Sequence, residues 1–180
     1  MAVDRPDNPR CLIPEERLDA RVKELAKEIE EFYQGKDPLV AVCVLKSSFV
    51  FFSDLIRQID LPMTCEFLGL SSYGKSFRSS GEAKLTLDLA GPIAGRHVLL
   101  VEDIVNTGST LQFLQQGLKA RRPASLRTCS LLLKPHAIRR NVEVDYVGFQ
   151  VGDEFVVGYG NDYEERYRGL SYNGAVERQL

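Results

Sequence analysis

The chain has 180 residues, 44% hydrophobic and 27% charged, with 23 basic against 25 acidic side chains for a net charge of −2. That length suits one domain with a substantial core, and the balanced charge excludes a general attraction to nucleic acid or to a membrane surface. No segment is long and apolar enough to span a bilayer, and residues 1–9 are too polar for a signal peptide. Residues 1–14 are read as an extended arm. Leu18, Val22, Leu25, Ile29 and Phe32 recur at helical spacing and predict an amphipathic helix over Glu15–Tyr33. A buried strand is expected at Leu39–Leu45, then a helix at 48–59 and a strand at 63–70. Residues 71–81, SSYGKSFRSSG, have few apolar anchors and are read as a mobile loop. Further strands are expected at 83–89, 97–101 and 126–133, with a helix over 111–120 before the last of these. Short strands at 146–149 and 155–159 complete the series. The alternation predicts an α/β fold with an open, mainly parallel sheet, right-handed crossovers, and a ligand beyond the C-terminal ends of the strands.

Cys11, Cys43, Cys65 and Cys129 show no C-x-x-C spacing. They argue against a zinc site or disulfide framework and for a reducing, cytoplasmic setting. Cys43 and Cys65 sit in apolar runs and read as small buried residues. His97 and His136 carry no metal motif.

The most informative stretch is VLLVEDIVNTGST at 98–110. It begins as a strand buried on both faces and is expected to end in two adjacent carboxylates, Glu102 and Asp103. Thr107, Gly108, Ser109 and Thr110 then lead into a helix. Hydroxyls and free N–H groups at a helix start suit a phosphate, and a glycine there permits close backbone approach. The carboxylates suit ribose hydroxyls or a hydrated Mg²⁺ instead. Together they describe a site for a sugar phosphate held at both ends. It is not a Walker loop, because GxxxxGK[ST] is absent.

This stretch resembles the phosphoribosyl-pyrophosphate (PRPP) motif of type I phosphoribosyltransferases. LKSSF at 45–49, SSYG at 71–74, VEDIVNTG at 101–108, LLLKP at 131–135 and DEFVVGYGNDYEERYR at 153–168 extend the match to the bacterial hypoxanthine/guanine phosphoribosyltransferases. The resemblance implies the type I fold in a single domain over 1–180. A core at about 39–149 would be covered by a small hood from 1–38 and 150–180. It implies transfer of phosphoribosyl from PRPP to N9 of a 6-oxopurine with Mg²⁺, in a homodimer or homotetramer. Glu102 and Asp103 would hold the ribose or the metal, and Thr107–Thr110 the 5′-phosphate. Lys46, Ser47 and Arg168 would meet pyrophosphate, and Ser72 and Tyr73 would belong to a lid that excludes water. Lys134 would donate to the oxygen at purine C6, Phe155 would stack on the base, and the Val156 backbone would meet its edge. Asp162 would stand near the purine 2-position and join Glu102 and Asp103 toward the metal.

Two positions depart from the family pattern. Ser47 replaces the usual glycine of the Leu-Lys-Gly loop. Asn106 stands where an aspartate usually serves as general base or acid at N7, and a carboxamide cannot usefully accept that proton. Asn106, Lys134 and Arg168 are the expected catalytic set. Asn106 and Ser47 favour one alternative, a nucleotide-sensing regulatory protein on the same fold, and a transferase preferring xanthine is a second.

Overall fold

The structure is a computed structural model that describes residues 9–72 and 83–176. Its main element is a six-stranded sheet. The strands are β2 (Leu39–Leu45), β3 (Met63–Ser72), β4 (Ala83–Leu87), β5 (His97–Val105), β6 (Ser125–Leu133) and β7 (Tyr146–Gln150). Their order is β4-β3-β2-β5-β6-β7, with every pairing parallel except β3–β4. The expected mainly parallel α/β sheet is therefore present, with one antiparallel edge strand.

Side-chain alternation builds two cores. In β2 and β5, Ala41, Cys43, Leu99 and Val101 face helices α1 (Glu15–Tyr33) and α2 (Phe49–Ile56). Val40, Val42, Val98 and Leu100 face Leu111, Leu114 and Leu118 of α3 (Ser109–Ala120). Both faces of these central strands are covered, which is why they read as unbroken apolar runs. Arg21 of α1 donates to the carbonyls of Val147 and Gly148, tying the β7 edge to the helix above it.

A second sheet of three antiparallel strands has the order β1-β9-β8, from β1 (Arg10–Ile13), β8 (Phe155–Val157) and β9 (Asn173–Val176). The end of the expected arm is thus a paired strand. Strand β9 was not expected, because NGAV carries no alternation and only its partners make it a strand. The sequence placed 155–159 as one terminal strand, but the chain turns after Val157, with left-handed backbone at Tyr159 and Gly160.

Other boundaries also move. Strand β3 takes in Ser71 and Ser72, the start of the expected loop, because they pair with Lys84 and Ala83. The remainder of that loop lies outside the described residues. Helix α2 stops at Ile56 rather than 59, its end tightened by an i→i+3 hydrogen bond from Gln58 N–H to Leu55. Strand β5 runs to Val105, four residues beyond the expected end, because β6 continues the ladder as far as Val105↔Leu133. Cys43 is buried as expected, but Cys65 is exposed. Helix α2 packs mainly over β2 and β5 and meets β3 where the Phe52 ring lies edge-on to Phe67 at 5.8 Å, which leaves Cys65 in solvent.

Leu99 is fully buried at the centre of β5. Leu99→Ala is expected to cost about 2–5 kcal/mol through lost burial and a residual cavity. Urea unfolding checks this: the midpoint should fall with the slope unchanged.

Candidate active site

The site forms where β2 and β5 end. Because β5 continues past them, Glu102 and Asp103 lie inside the strand rather than at its tip, and they are only 5% and 8% exposed. Adjacent strand residues lean to opposite sides of a sheet, yet both carboxylates line one cavity at the sheet's end. Asp103 turns toward the start of α2, where the Ser48 hydroxyl donates to it at 3.4 Å. Among the described residues neither carboxylate has an ion-pair partner. Burial pushes Glu102 well above the usual carboxylate range, and the charge of Asp103 adds to the shift. Burial raises Asp103 to about 6, opposed by backbone N–H groups, the Ser48 hydroxyl and the charge of Arg168. The Cys43 thiol beneath them is pushed up to about 12, first by burial and then by the two carboxylates. The pair is therefore a buried, uncompensated acidic centre suited to hydroxyl donors or a cation.

Beyond β5 the chain turns through Asn106 and Thr107 into α3. Gly108 takes φ +83° at the helix N-cap, where a Cβ would come within 3.1 Å of Val142 and 3.3 Å of Arg140. The N-cap glycine has no side chain to cap the helix, and the Thr107 hydroxyl accepts the Ser109 N–H at 3.4 Å; such a helix N-terminus suits an anion. Thr107 and Thr110 are exposed beside it. The Ser109 hydroxyl sits 3.3 Å from that of Thr107 and accepts a hydrogen bond from Arg140 at 3.4 Å.

Two cavities meet here. The smaller, about 240 Å³, is lined by Lys46, Ser47, Glu102, Asp103, Asn106, Thr107, Gly108 and Thr110. The larger, about 800 Å³, is lined by Ser47, Asp103, Asn106, Lys134, Phe155, Val156, Asn161 and Asp162 among others. Ser47, Asp103 and Asn106 belong to both. Lys134, at the end of β6, donates to the Glu154 carbonyl at 2.6 Å. The Phe155 ring meets that of Tyr163 edge-on at 5.4 Å.

Other residues singled out from the sequence stand differently. Lys46 is exposed, follows a cis Leu45–Lys46 peptide, and pairs with Glu165 at 3.0 Å. Arg168 lines neither cavity. Its guanidinium donates to the Ser47 hydroxyl at 3.0 Å and the Gly160 carbonyl at 2.8 Å, and it pairs with Asp162 at 2.8 Å. Asp162 also accepts the Glu165 N–H at 2.8 Å. With its carboxylate so engaged, Asp162 does not join Glu102 and Asp103 in a protein-only cage. No group of three His, Cys, Asp or Glu side chains suited to a metal occurs among the described residues. Ser72 closes β3 through its backbone, and Tyr73 lies outside the described residues.

Sequence reasoning overlooked Asn161. Its side chain is buried in the wall of the larger cavity, and its Nδ2 has no hydrogen-bond partner among the described residues. The run VVGYGN carried no signal for it, since the turn that brings it inward depends on packing elsewhere.

A mainly parallel sheet with an acidic pair and a helix N-terminus at its carboxyl end is the arrangement of a type I phosphoribosyltransferase fold. The family model described as phosphoribosyl transferase domain matches residues 14–164. Hypoxanthine phosphoribosyltransferase of Haemophilus influenzae is 48% identical over 167 residues, covering 92% of this chain and 93% of that protein. Hypoxanthine-guanine phosphoribosyltransferase of Mycobacterium bovis is 46% identical, covering 97% and 89%. The crystal structure of a hypoxanthine-guanine phosphoribosyltransferase from Bacillus anthracis superposes with a TM-score of 0.90 at 43% identity, covering 95% of this chain and all of that one. The chain belongs to the phosphoribosyltransferase family, on its hypoxanthine/guanine branch.

The raised pKa of Asp103 has a stability consequence. A carboxylate whose folded pKa lies above its unfolded value makes folding less favourable as pH rises through that window, here from about 4 to about 6. Asp103→Asn is therefore expected to stabilise the unliganded protein at pH 7.5 by about 1–3 kcal/mol. The gain should fade as pH falls toward 4.5, which paired thermal or urea unfolding at the two pH values would measure.

Proposed function

We propose that this protein transfers 5-phosphoribosyl from PRPP to N9 of hypoxanthine or guanine, releasing pyrophosphate and giving IMP or GMP. The observation that carries the reading is the pair of adjoining cavities. One has acidic and phosphate-type walls, the other an aromatic ring and an ammonium donor, and Asp103 and Asn106 line both. The relatives' names support the same reading, and they give no support to the sensor or xanthine-preferring alternatives.

In this reading the first N–H groups of α3 with Thr107, Ser109 and Thr110 hold the 5′-phosphate. Glu102 and Asp103 hold the ribose hydroxyls. Their unpaired, buried carboxylates also fit a hydrated Mg²⁺, which retains several waters and needs few protein ligands. When bound, the ion supplies charge neutralisation to the departing pyrophosphate. Lys46 and Ser47 lie beside that leaving group, and Arg168 holds Ser47 and Asp162 in place and is the nearby cation for it. The C1′–O bond to pyrophosphate breaks as N9 approaches, positive charge develops on the ribose, and the carboxylates below it stabilise that charge. Phe155 stacks on the base, the Val156 backbone meets its edge, and Lys134 donates to the 6-oxo group. The smaller sheet forms a hood over the base, and Ser72 and Tyr73 belong to the lid. The resemblance also supports a cytoplasmic homodimer or homotetramer.

The direct test is product formation from PRPP and Mg²⁺ with hypoxanthine, guanine or adenine. Hypoxanthine and guanine should react and adenine poorly, since an ammonium cannot accept from a 6-amino group. Lys134→Gln should relax that discrimination. Equal turnover of adenine by the native protein would remove the role given to Lys134.

Asn106 limits the proton step in this scheme, because the base must lose a proton at N7 as N9 bonds. Asn106→Asp is expected to raise the single-turnover rate with hypoxanthine by about 10²–10⁴, the usual contribution of a positioned general base. IMP affinity should change much less. An unchanged chemical step would mean that water or another group already takes the proton.

A further inference from the structure

Asn161 and Glu154 are polar residues in the wall of the base cavity that the reaction scheme leaves unused, each with a buried side-chain atom that has no partner among the described residues, and Asn161 is the more deeply buried of the two. Asn161 lies at the end of a tight turn, Gly158–Asn161, closed by reciprocal backbone hydrogen bonds between those two residues at 2.9 and 3.1 Å. The turn is held from several sides. Gly160 has φ +98°, and a Cβ there would lie 2.1 Å from the Ser47 carbonyl. Arg168 bonds both the Gly160 carbonyl and the Ser47 hydroxyl. The Tyr159 hydroxyl donates to Asp54 at 2.6 Å, and Asn173 donates to the Gly158 carbonyl at 2.8 Å. The position of Asn161 is therefore fixed by the backbone, while its own carboxamide makes no hydrogen bond among the described residues.

An amide that is 95% withdrawn from solvent and unpartnered is costly unless something that enters the cavity satisfies it. If the proposed function is correct, three edges of the purine are already assigned. Carbon 6 meets Lys134, N7 meets Asn106, and N9 points to the ribose site. The remaining edge carries N1, N3 and the substituent on carbon 2, of which the Val156 backbone meets a part. Its neighbour in the wall, Asp162, is occupied by Arg168 and the Glu165 N–H. Arg10 and Asp153 also line the cavity but stand in solvent, and half-buried Glu154 lines it with a carboxylate, which can accept from a 2-amino group but cannot donate to a 2-oxo group.

We propose that Asn161 is a specificity-determining residue whose carboxamide pairs with a hydrogen-bonding substituent on carbon 2 of a 6-oxopurine. Such a base, with a 2-amino or a 2-oxo group, satisfies the amide, whereas hypoxanthine presents only C–H there. A carboxamide has both a donor and an acceptor, so it serves either substituent by turning about its last bond.

The test compares Asn161→Leu and Asn161→Asp with the native protein. Leucine is close to asparagine in size and offers no hydrogen bond. Aspartate accepts but does not donate. The readouts are kcat/KM for guanine, xanthine and hypoxanthine, and calorimetric Kd values for GMP, XMP and IMP. Asn161→Leu should lower kcat/KM for the favoured 2-substituted base by about tenfold or more, with hypoxanthine changed about threefold at most. Asn161→Asp should retain guanine and GMP if the native contact is to a 2-amino group, and lose xanthine and XMP if it is to a 2-oxo group. Equal changes for all three bases and all three nucleotides in Asn161→Leu would overturn the role of Asn161 while leaving the purine reading intact. Failure of the native protein to bind any of the nucleotides would overturn both.

Discussion

The structure depends on carrying two carboxylates into the interior on its central strand. Strand β5 is paired on both sides, to β2 and β6, and the β6 ladder continues past Glu102 and Asp103 to Val105. That ladder gives the backbone of the acidic pair its hydrogen bonds. It also removes the side chains from water, so each is pushed toward its neutral form. The fold thus stores electrostatic discomfort at the place where two cavities meet, and a ligand offering hydroxyls or a cation relieves it.

The surrounding elements are arranged around that centre. Helix α3 begins directly after β5 and presents its N-terminus there. The loop after β2 brings Lys46 and Ser47 to the same mouth. The C-terminal turn reaches back to this loop, where Gly160 packs on the Ser47 carbonyl and Arg168 bridges the two. Segments more than a hundred residues apart in sequence therefore set one another's position. In the proposed reaction this is how the leaving-group loop and the base cavity stay in register, and such pre-organisation is what transfer through a charged transition state requires.

Asn106 and Asn161 give the larger cavity an amide character where a carboxylate or an apolar side chain would behave differently. A carboxamide orients a ligand without taking its proton. Under the proposed function the cavity is therefore better equipped to select a base than to deprotonate it.

The sequence by itself determined the elements whose neighbours lie nearby or cover both faces. Helix α1 and strand β2 have the bounds read from their apolar spacing, since a helix stripe or a doubly buried run is written in consecutive residues. The order of strands and helices between residues 15 and 150 and the motif from Val98 to Thr110 were equally legible, as was the membership of Lys134, Phe155, Val156 and Asp162 in one cavity wall, through the family resemblance. Only the tertiary structure decided what depends on distant partners. Strand β5 runs past its acidic pair because β6 continues beside it. NGAV becomes β9 because β1 and β8 flank it. Cys65 is exposed because α2 packs mainly over other strands, and Asp162 is engaged because Arg168 turns back on it. Asn161 is buried without a partner because a turn held by Ser47, Arg168, Asp54 and Asn173 faces it inward, and no local pattern can encode a burial imposed by four remote contacts.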